Sequence, residues 1–293
     1  MANNNLAHSK ISPTAKLLAY WRQNADLPFS QEIAEFSEAN KTVHEMFEQQ
    51  GKSLSLNDIF ISYAELRYKS IQQAIKNLKI KQVLEFASGF SLRGLAMSSD
   101  PSLTYVETDL PGLMKEKETL VKRVKARHKI SSRQNLFYHT VNILKMSEIE
   151  LALKNLDPKE PLIIVHEGLF QYLSKSEKRI AAQNIYTVLK RFGGVWITPD
   201  FDTSAEAKQQ LSFSKDIREM IEVIGKATNR SMEDNRFKNE TEVYSFLDDL
   251  GFSIKKKPQW NSALQLSDPN KRQNHKDYVT LLKNLYLWEM KIK

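Results

Sequence analysis

The sequence predicts a doubly wound α/β fold built on a mostly parallel, seven-stranded sheet. Between residues 81 and 202, five short apolar runs alternate with helical stretches, and such alternation implies parallel strands joined by right-handed crossovers. A tight turn of small residues follows the first apolar run, in the stretch "VLEFASGFSLRGL". With 293 residues, 41% of them hydrophobic, the chain is long enough to cover both faces of such a sheet.

A helical region is expected ahead of the sheet, over residues 1–78. Helical spacing of apolar residues runs through three segments: "SPTAKLLAYWR", "SQEIAEFSEANKTVHEMFEQQ" and "LNDIFISYAELRYKSIQQAIKNL". The opening "MANNNLAHSKISPTAK" lacks the apolar segment of a signal peptide, and no run approaches eighteen apolar residues. We therefore expect a cytoplasmic protein with no membrane partner.

The core of the fold is expected over residues 81–202, where a cofactor would bind. Its five strands are predicted in "KQVLEF", "LTYVETD", "NLFYHTV", "PLIIVHE" and "GGVWITPDF". Helices are predicted to begin at Ser91, Pro111 and Ser174, with a further one near residues 146–153. The rule for such sheets places ligands beyond the carboxyl ends of the strands.

Residues 203–238 follow the fifth strand and are predicted to form a helical lid over a ligand site. The run from Ser204 to Arg230 has more apolar residues than one short crossover helix needs: Leu211, Phe213, Ile217, Met220, Ile221 and Ile224. Such residues suit the wall of a pocket, although they could instead pack this helix onto the sheet. Residues 239–293 are expected to close the domain with the helix "NETEVYSFLDDLGF" and the strands "FSIKKK" and "LYLWEMKI".

The net charge of +8 raises the question of a nucleic-acid partner, because a basic face is the electrostatic footprint of phosphate binding. Acidic residues are interspersed with the lysines, as in "LMKEKETLVKRVKARHK", which is typical of a solvated helix face. We therefore expect no nucleic-acid partner. The chain has no cysteine, which excludes disulfides, thiolate zinc sites and cysteine nucleophiles, and we expect no metal site.

The first strand-to-helix turn carries the small residues Ala87, Ser88 and Gly89. Small residues there let backbone amides approach a ligand at the N-terminus of the next helix. Glu107 and Asp109 end the second strand about twenty residues later, the spacing at which a carboxylate accepts hydrogen bonds from ribose hydroxyls. Together these features favour an adenosine-containing cofactor. The turn has too few glycines for a dinucleotide, whereas S-adenosylmethionine has no phosphates and fits better.

Four segments resemble the leucine carboxyl methyltransferase family, including its bacterial O-methyltransferase branch, in their order and spacing. They are "SPTAKLLAYW", "LEFASGFSLRGL", "YVETDLPGLMKEK" and "VHEGLFQYLSKSEK", and the resemblance extends over nearly the whole chain. It implies a class I methyltransferase fold, which is Rossmann-like, with S-adenosylmethionine at the carboxyl ends of the strands. It also implies the cofactor-binding set Arg67, Glu85, Ala87, Ser88, Gly89, Asp109, Asn142, Ile143 and Glu167.

Three charged residues of this set have an implied role and an alternative one. Arg67 would grip the cofactor's carboxylate, a task suited to a planar, bidentate guanidinium; otherwise it is a helix-surface residue. Asp109 would hold the ribose, with Glu107 either a weaker candidate for the same role or a satisfied acid at a strand end. Glu167 would face the cofactor's amino group, or it would cap the helix that follows.

Two departures from the family pattern occur in the same set. Many members have glycine where this chain has Ala87, and alanine is tolerable there if its φ is negative. The family often has aspartate at the adenine-binding position, where Asn142 and Ile143 stand here, and an amide can still accept from the exocyclic amine. Polar contacts to the cofactor's amino-acid end are expected from the N-terminal residues Ser12 and Thr14, with Lys16 as a rival.

The implied reaction is an in-line methyl transfer, which needs alignment more than acid–base chemistry. A carboxylate acceptor needs no base, whereas a hydroxyl acceptor benefits from one. Candidate bases near the strand ends are His166, Asp200 and Asp202, with Tyr172 as an orienting group. His166 could equally be a structural histidine, and the two aspartates could cap the next helix. The sequence leaves the acceptor open.

Three functions remain open on the sequence. We favour an O-methyltransferase that acts on the carboxylate or hydroxyl of a small molecule, because nothing in the sequence marks a protein-docking segment. Methylation of a protein's C-terminal carboxylate, as in the eukaryotic members, is the second. The third is a cofactor-binding protein without transfer activity, suggested only by the departures at Ala87 and Asn142.

Overall fold

A seven-stranded sheet forms the centre of the protein. The computed structural model describes residues 12–52, 58–213, 219, 222–226, 233–261, 264, 266–267 and 282–293. The strands are β1 (Gln82–Phe86), β2 (Thr104–Asp109), β3 (Leu136–Thr140), β4 (Leu162–His166), β5 (Gly194–Thr198), β6 (Phe252–Pro258) and β7 (Tyr286–Ile292). Their order is β3-β2-β1-β4-β5-β7-β6. Strands β1 to β5 are parallel, and β7 is antiparallel to both of its neighbours. The predicted fold class is confirmed.

Helices flank the sheet and precede it. They are α1 (Ser12–Arg22), α2 (Ser30–Phe36), α3 (Ala39–Glu48), α4 (Asp58–Leu78), α5 (Arg93–Met97), α6 (Pro111–Arg127), α7 (Met146–Leu153), α8 (Lys175–Phe192), α9 (Ser204–Phe213) and α10 (Glu240–Asp249). The segment "SQEIAEFSEANKTVHEMFEQQ" forms two helices rather than one, because Glu38 adopts a left-handed φ of 54° between them. None of the helices in the described part of the chain is long and apolar enough to span a membrane.

Alternate residues of the central strands pack against different helices. Leu84 of β1 joins a core cluster with α7, α8 and α10, whereas its neighbour Val83 joins a cluster with α4. This follows from the two-residue period of a strand, which sends successive side chains to opposite faces. Both faces are covered, so the central strands are buried along their length.

The N-terminal helices pack over the carboxyl ends of β1 and β4. Trp21 of α1 stacks on Phe60 of α4, with ring centroids 5.1 Å apart. Both belong to an apolar cluster that also includes residues of α2, α3 and α6. The helical region expected from the sequence therefore forms a layer that can close over a ligand at the strand ends.

Part of the predicted lid lies outside the described residues. Helix α9 begins at Ser204, as expected, and residues 222–226 are also helical. Ile224 is buried in the cluster formed by the N-terminal helices. The side chains of the other predicted lid residues fall outside the described ones: Leu211, Phe213, Ile217, Met220 and Ile221.

Candidate active site

A cavity of about 380 Å³ lies at the carboxyl ends of the parallel strands. Residues at or just after the end of each parallel strand line this cavity, and they are arranged in the same order as the strands. From β3 to β5 these are Asn142, Asp109, residues 87–89, Glu167 and Asp202. Helix α1 supplies the opposite wall, with Thr14, Ala15 and Leu18 among its contributions. The cavity thus occupies the place where the sequence predicts a cofactor.

The turn after β1 is held in an unusual backbone conformation. Ala87 has a φ of 50° and Gly89 a φ of 52°, both in the left-handed region. The condition of a negative φ, expected for an alanine at position 87, is therefore not met. A left-handed alanine costs about 1 kcal/mol because its Cβ crowds the following carbonyl. The Ser88 amide donates to the Thr108 carbonyl oxygen at 3.0 Å and ties the turn to β2.

Asp109 ends β2 and lines the cavity beside this turn. Its Oδ2 accepts from the Gly89 amide and its Oδ1 from the Leu110 amide, both at 2.7 Å. Burial raises the pKa of Asp109, and the two backbone amides partly offset that effect. Each carboxylate oxygen keeps a further acceptor position, so Asp109 can still receive a ribose hydroxyl.

Glu107, two residues earlier, has a different environment. It is fully buried, and its carboxylate pairs with the Lys117 ammonium at 2.9 Å and accepts from the Gly94 amide at 2.7 Å. A Cβ on Gly94 would lie 2.6 Å from Glu107 Oε1, so only glycine fits there. Glu107 is not among the residues that line the cavity. Of the two acids on β2, Glu107 is therefore the one whose contacts stabilise the fold rather than face the cavity.

Three arginines surround Glu167 just beyond β4. The carboxylate contacts the guanidinium groups of Arg22 at 2.6 Å, Arg93 at 2.9 Å and Arg67 at 3.4 Å. Burial alone would raise the pKa of Glu167, but the three positive charges outweigh it and hold that pKa below its usual range. The short 3₁₀ turn that follows, Phe170–Tyr172, has no side-chain cap. Glu167 is therefore the centre of an ion cluster, and the capping alternative is wrong.

Arg67 is buried and connects α4 to the ends of two strands. Its guanidinium donates to Asp200 Oδ1 at 2.7 Å, to the Tyr63 hydroxyl at 3.0 Å and to Glu167. The helix-surface alternative for Arg67 is wrong. Glu85 of β1 completes the cluster, because it pairs with Arg93 and accepts from the Tyr105 hydroxyl at 2.7 Å.

The sequence reasoning missed Arg22 and Arg93. Each lies inside a segment that carries the family resemblance or directly after one, in "SPTAKLLAYWR" and "SLRGL". The only signal was that position, because their common partner Glu167 is 145 and 74 residues away along the chain. With both included, three buried arginines face Glu85, Glu167 and Asp200, which balances the charge.

Asn142 and Ile143 follow β3 at the edge of the cavity. The Asn142 side-chain oxygen accepts from the Leu144 amide at 3.0 Å, and the Asn142 amide donates to Glu148 at 2.7 Å. The Ile143 carbonyl accepts from the Asn184 side chain at 2.7 Å. These bonds fix the loop in place, so the predicted adenine-binding residues have a defined position.

Two of the candidate bases, His166 and Asp200, are hydrogen-bonded to other residues of the protein. His166 is fully buried, hydrogen-bonded through Nδ1 to Asp200 at 2.8 Å and stacked on Phe170, and it does not line the cavity. Asp200 also accepts from the Gly168 amide at 2.8 Å. Burial opposes but does not outweigh the His166 hydrogen bond and the positive charge of Arg67, so the pKa of Asp200 is lowered. These two residues brace the turn after β4.

Two other predicted polar residues line the cavity together. Tyr172 is buried, and its hydroxyl is hydrogen-bonded to Thr14 of α1, which ties that helix to the turn after β4. Lys16 is not among the lining residues, and the side chain of Ser12 falls outside the described ones.

The sheet has the architecture of the class I methyltransferase fold, with a cavity at the strand ends. The profile of the leucine carboxyl methyltransferase family matches residues 13–185, more than half of the chain. The chain belongs to this family. It is an S-adenosylmethionine-dependent methyltransferase, as the sequence resemblance implied.

Solved structures of low sequence identity are similar to this chain. A DUF574 family protein from Streptomyces avermitilis is 14% identical, with a TM-score of 0.58 over 96% of this chain and 97% of that one. An O-methyltransferase family protein from Burkholderia thailandensis is 12% identical, with a TM-score of 0.48 over 89% and 72%. No curated protein matches the chain.

The cavity residues fit S-adenosylmethionine by their chemistry. Asp109 keeps acceptor positions for a sugar hydroxyl, and the turn at residues 87–89 exposes backbone without the glycine-rich loop that a pyrophosphate requires. Arg22 and Arg67 offer guanidinium groups at the cavity wall, near the carboxylate of Glu167. Both signs of charge are therefore available for an amino-acid moiety.

Proposed function

We propose that this protein transfers a methyl group from S-adenosylmethionine to an oxygen atom of a small molecule. The observation that supports this most directly is an apolar wall in the same cavity, formed by Trp21, Ile33, Phe60 and Ile224. These side chains come from α1, α2, α4 and the segment 222–226 rather than from the strand ends. A mostly apolar pocket with a few polar groups suits a small organic acceptor.

The order of the strands supports an orientation for the two ligands. Asn142, proposed for the adenine, follows β3, and Asp109, proposed for the ribose, is the last residue of β2. Glu167, proposed for the amino group, follows β4. The cofactor would then extend across the sheet from β3 toward β4. The next strand in that direction is β5, and the acceptor would border the residues that follow it.

The protein's own part in the reaction is to align the acceptor and exclude water. When bound, S-adenosylmethionine supplies a methyl group activated by a positively charged sulfur. The apolar wall keeps water from the acceptor oxygen, and the hydrogen bond between Tyr172 and Thr14 holds α1 against the strand ends. Correct alignment of two bound reactants can lower the barrier by about 7–11 kcal/mol.

The predicted lid from Ser204 to Arg230 belongs to this proposal. Ile224 supports it, because this residue is both buried among the N-terminal helices and part of the cavity lining. A lid contributed by a segment after β5 would contact the acceptor more than the cofactor. We therefore propose that this segment helps to select the acceptor.

Transfer of a labelled methyl group tests the proposal. The protein is incubated with methyl-labelled S-adenosylmethionine and either a small-molecule extract or peptides that end in leucine. We expect label in the small-molecule fraction, and mild base then separates methyl esters, which release methanol, from methyl ethers, which do not. Label on the peptides alone, or transfer to neither, contradicts the proposal. The matched control is Asp249→Asn, which removes an exposed charge on α10.

A further inference from the structure

Asp202 is a carboxylate without a hydrogen-bond partner among the described residues, and it lies where the acceptor is proposed to bind. It follows β5 and lines the cavity, and its side chain is half-buried. It forms no hydrogen bond or ion pair with any residue that the structure describes. A carboxylate in a largely buried site is normally paired. Because Asp202 has no such partner among the described residues, it is available to a ligand.

The capping role that was the alternative for Asp202 is filled by its neighbour. Thr203 Oγ1 accepts from the Glu206 amide at 3.1 Å, and the Glu206 carboxylate accepts from the Thr203 amide at 2.9 Å. This reciprocal pair is a capping box, which satisfies the start of α9. Asp200 is likewise engaged with the turn after β4. Asp202 is therefore the candidate base left without a structural partner among the described residues.

The surroundings of Asp202 make it a suitable proton acceptor. Burial raises the pKa of Asp202 to about 6, with the positive charges of Arg67 and Arg236 opposing the shift and the negative charges of Asp200 and Glu206 adding to it. The charged and titratable groups that face it from the packed elements are Tyr63, Arg67, Lys178, Asp200, Glu206 and Arg236. At neutral pH the group is mostly ionised, yet it is a stronger base than an ordinary aspartate.

We propose that Asp202 is the general base of the reaction and that the acceptor is therefore a phenolic hydroxyl. This inference rests on the proposed function. The acceptor's O–H proton passes to the Asp202 carboxylate, and the oxygen lone pair forms the new C–O bond. The electron pair of the broken C–S bond remains on sulfur, so an anion and a sulfonium become a neutral acid and a neutral thioether. Water then takes the proton from Asp202.

A comparison of pKa values favours a phenol over other acceptors. A phenol has a pKa of about 10, roughly four units above that of Asp202, whereas an O–H as weakly acidic as that of water lies about ten units away. A carboxylate acceptor needs no base, and its negative charge would be repelled by Asp202. The aromatic side chains of Trp21 and Phe60 on the cavity wall suit a ring.

Two measurements on Asp202→Asn test the role of this residue. Probes are para-substituted phenols and benzoic acids with the same substituents. The starting protein should methylate the phenols, with kcat/KM rising with pH to a plateau above about 6. Asp202→Asn should lower kcat/KM for phenols by about 100-fold or more and lose that pH dependence, and Asp202→Glu should restore part of the rate. Asp249→Asn serves as the control.

The titration of Asp202 can also be measured directly, without turnover. Carbon-13 NMR of the protein labelled at aspartate carboxyls should show one resonance that titrates near pH 6 and is missing in Asp202→Asn. Titration of Asp202 near 4, methylation of benzoic acids alone, or turnover of none of the probes overturns the proposal. Binding of S-adenosylhomocysteine separates the two claims. If the protein binds it but fails with phenols, only the role of Asp202 is lost; if it does not bind, the proposed function is lost as well.

Discussion

The ion cluster around Glu167 should contribute to the free energy of unfolding, because its charges are buried and paired at short distances. The change is Glu167→Gln, which keeps the shape of the side chain and removes its charge. Three guanidinium groups lie 2.6 to 3.4 Å from this carboxylate. Among the described residues, Glu85 and Asp200 would remain as carboxylates paired directly with them. Removing one partner from a buried ion pair costs about 3–5 kcal/mol, so we expect a loss of at least about 3 kcal/mol in the free energy of unfolding.

The pH dependence of that loss has a definite sign. The pKa of Glu167 is held below its ordinary value of 4.5 in the folded protein, so its stabilisation is fully present above that value. It is lost as the pH falls through the folded-state pKa, because the carboxylate is then protonated in both states. The difference between the starting protein and Glu167→Gln should therefore be largest at neutral pH and shrink below about pH 4.

Urea unfolding at pH 7.5 and pH 3 measures the effect. The matched control is Glu150→Gln, since Glu150 forms one exposed ion pair with Arg191 at 3.1 Å. Exposed pairs contribute about 0–1 kcal/mol, so the control should unfold nearly as the starting protein does. If Glu167→Gln is as stable as Glu150→Gln at pH 7.5, the three-arginine cluster does not stabilise the fold as argued.

Four further substitutions are expected to have separable effects. Ala87→Gly should raise the free energy of unfolding by about 1 kcal/mol because it relieves a left-handed alanine; a loss in urea unfolding would contradict this. Asp109→Ala should weaken binding of S-adenosylhomocysteine by about 1.5–3 kcal/mol in calorimetry. Glu107→Ala should instead destabilise the fold by about 3–5 kcal/mol, because Lys117 loses its buried partner; the opposite assignment of the two effects would refute our choice of acid. Ile224→Ala should change the preference among acceptors in competition assays while leaving cofactor affinity within about 0.5 kcal/mol, and loss of cofactor binding would count against the lid.

The strands and most helices could be predicted because their signals are local. Alternation of apolar runs and helical stretches is a property of neighbouring residues, and it identified every strand of the sheet, including the two that close the chain. The break between α2 and α3 could not be predicted in this way. Its cause is a left-handed Glu38, and neither glycine nor proline marks the position.

The candidate site could be predicted only where the topology fixes it. Residues at or just after the end of a parallel strand must lie at the same edge of the sheet, which is why Asp109 and Asn142 were found. The pairing of Arg22 and Arg93 with Glu167 depends on tertiary packing across long sequence separations. The different environments of Asp200 and Asp202 depend on the path of a loop, where strand alternation no longer applies.

We expect S-adenosylmethionine to bind at the carboxyl ends of the parallel strands. Calorimetric titration of the 293-residue chain with S-adenosylhomocysteine, the demethylated product, tests this directly. We expect saturable binding at one site per chain, with no comparable binding of a nicotinamide dinucleotide. Absence of heat at millimolar S-adenosylhomocysteine, or equal binding of the dinucleotide, would contradict this expectation.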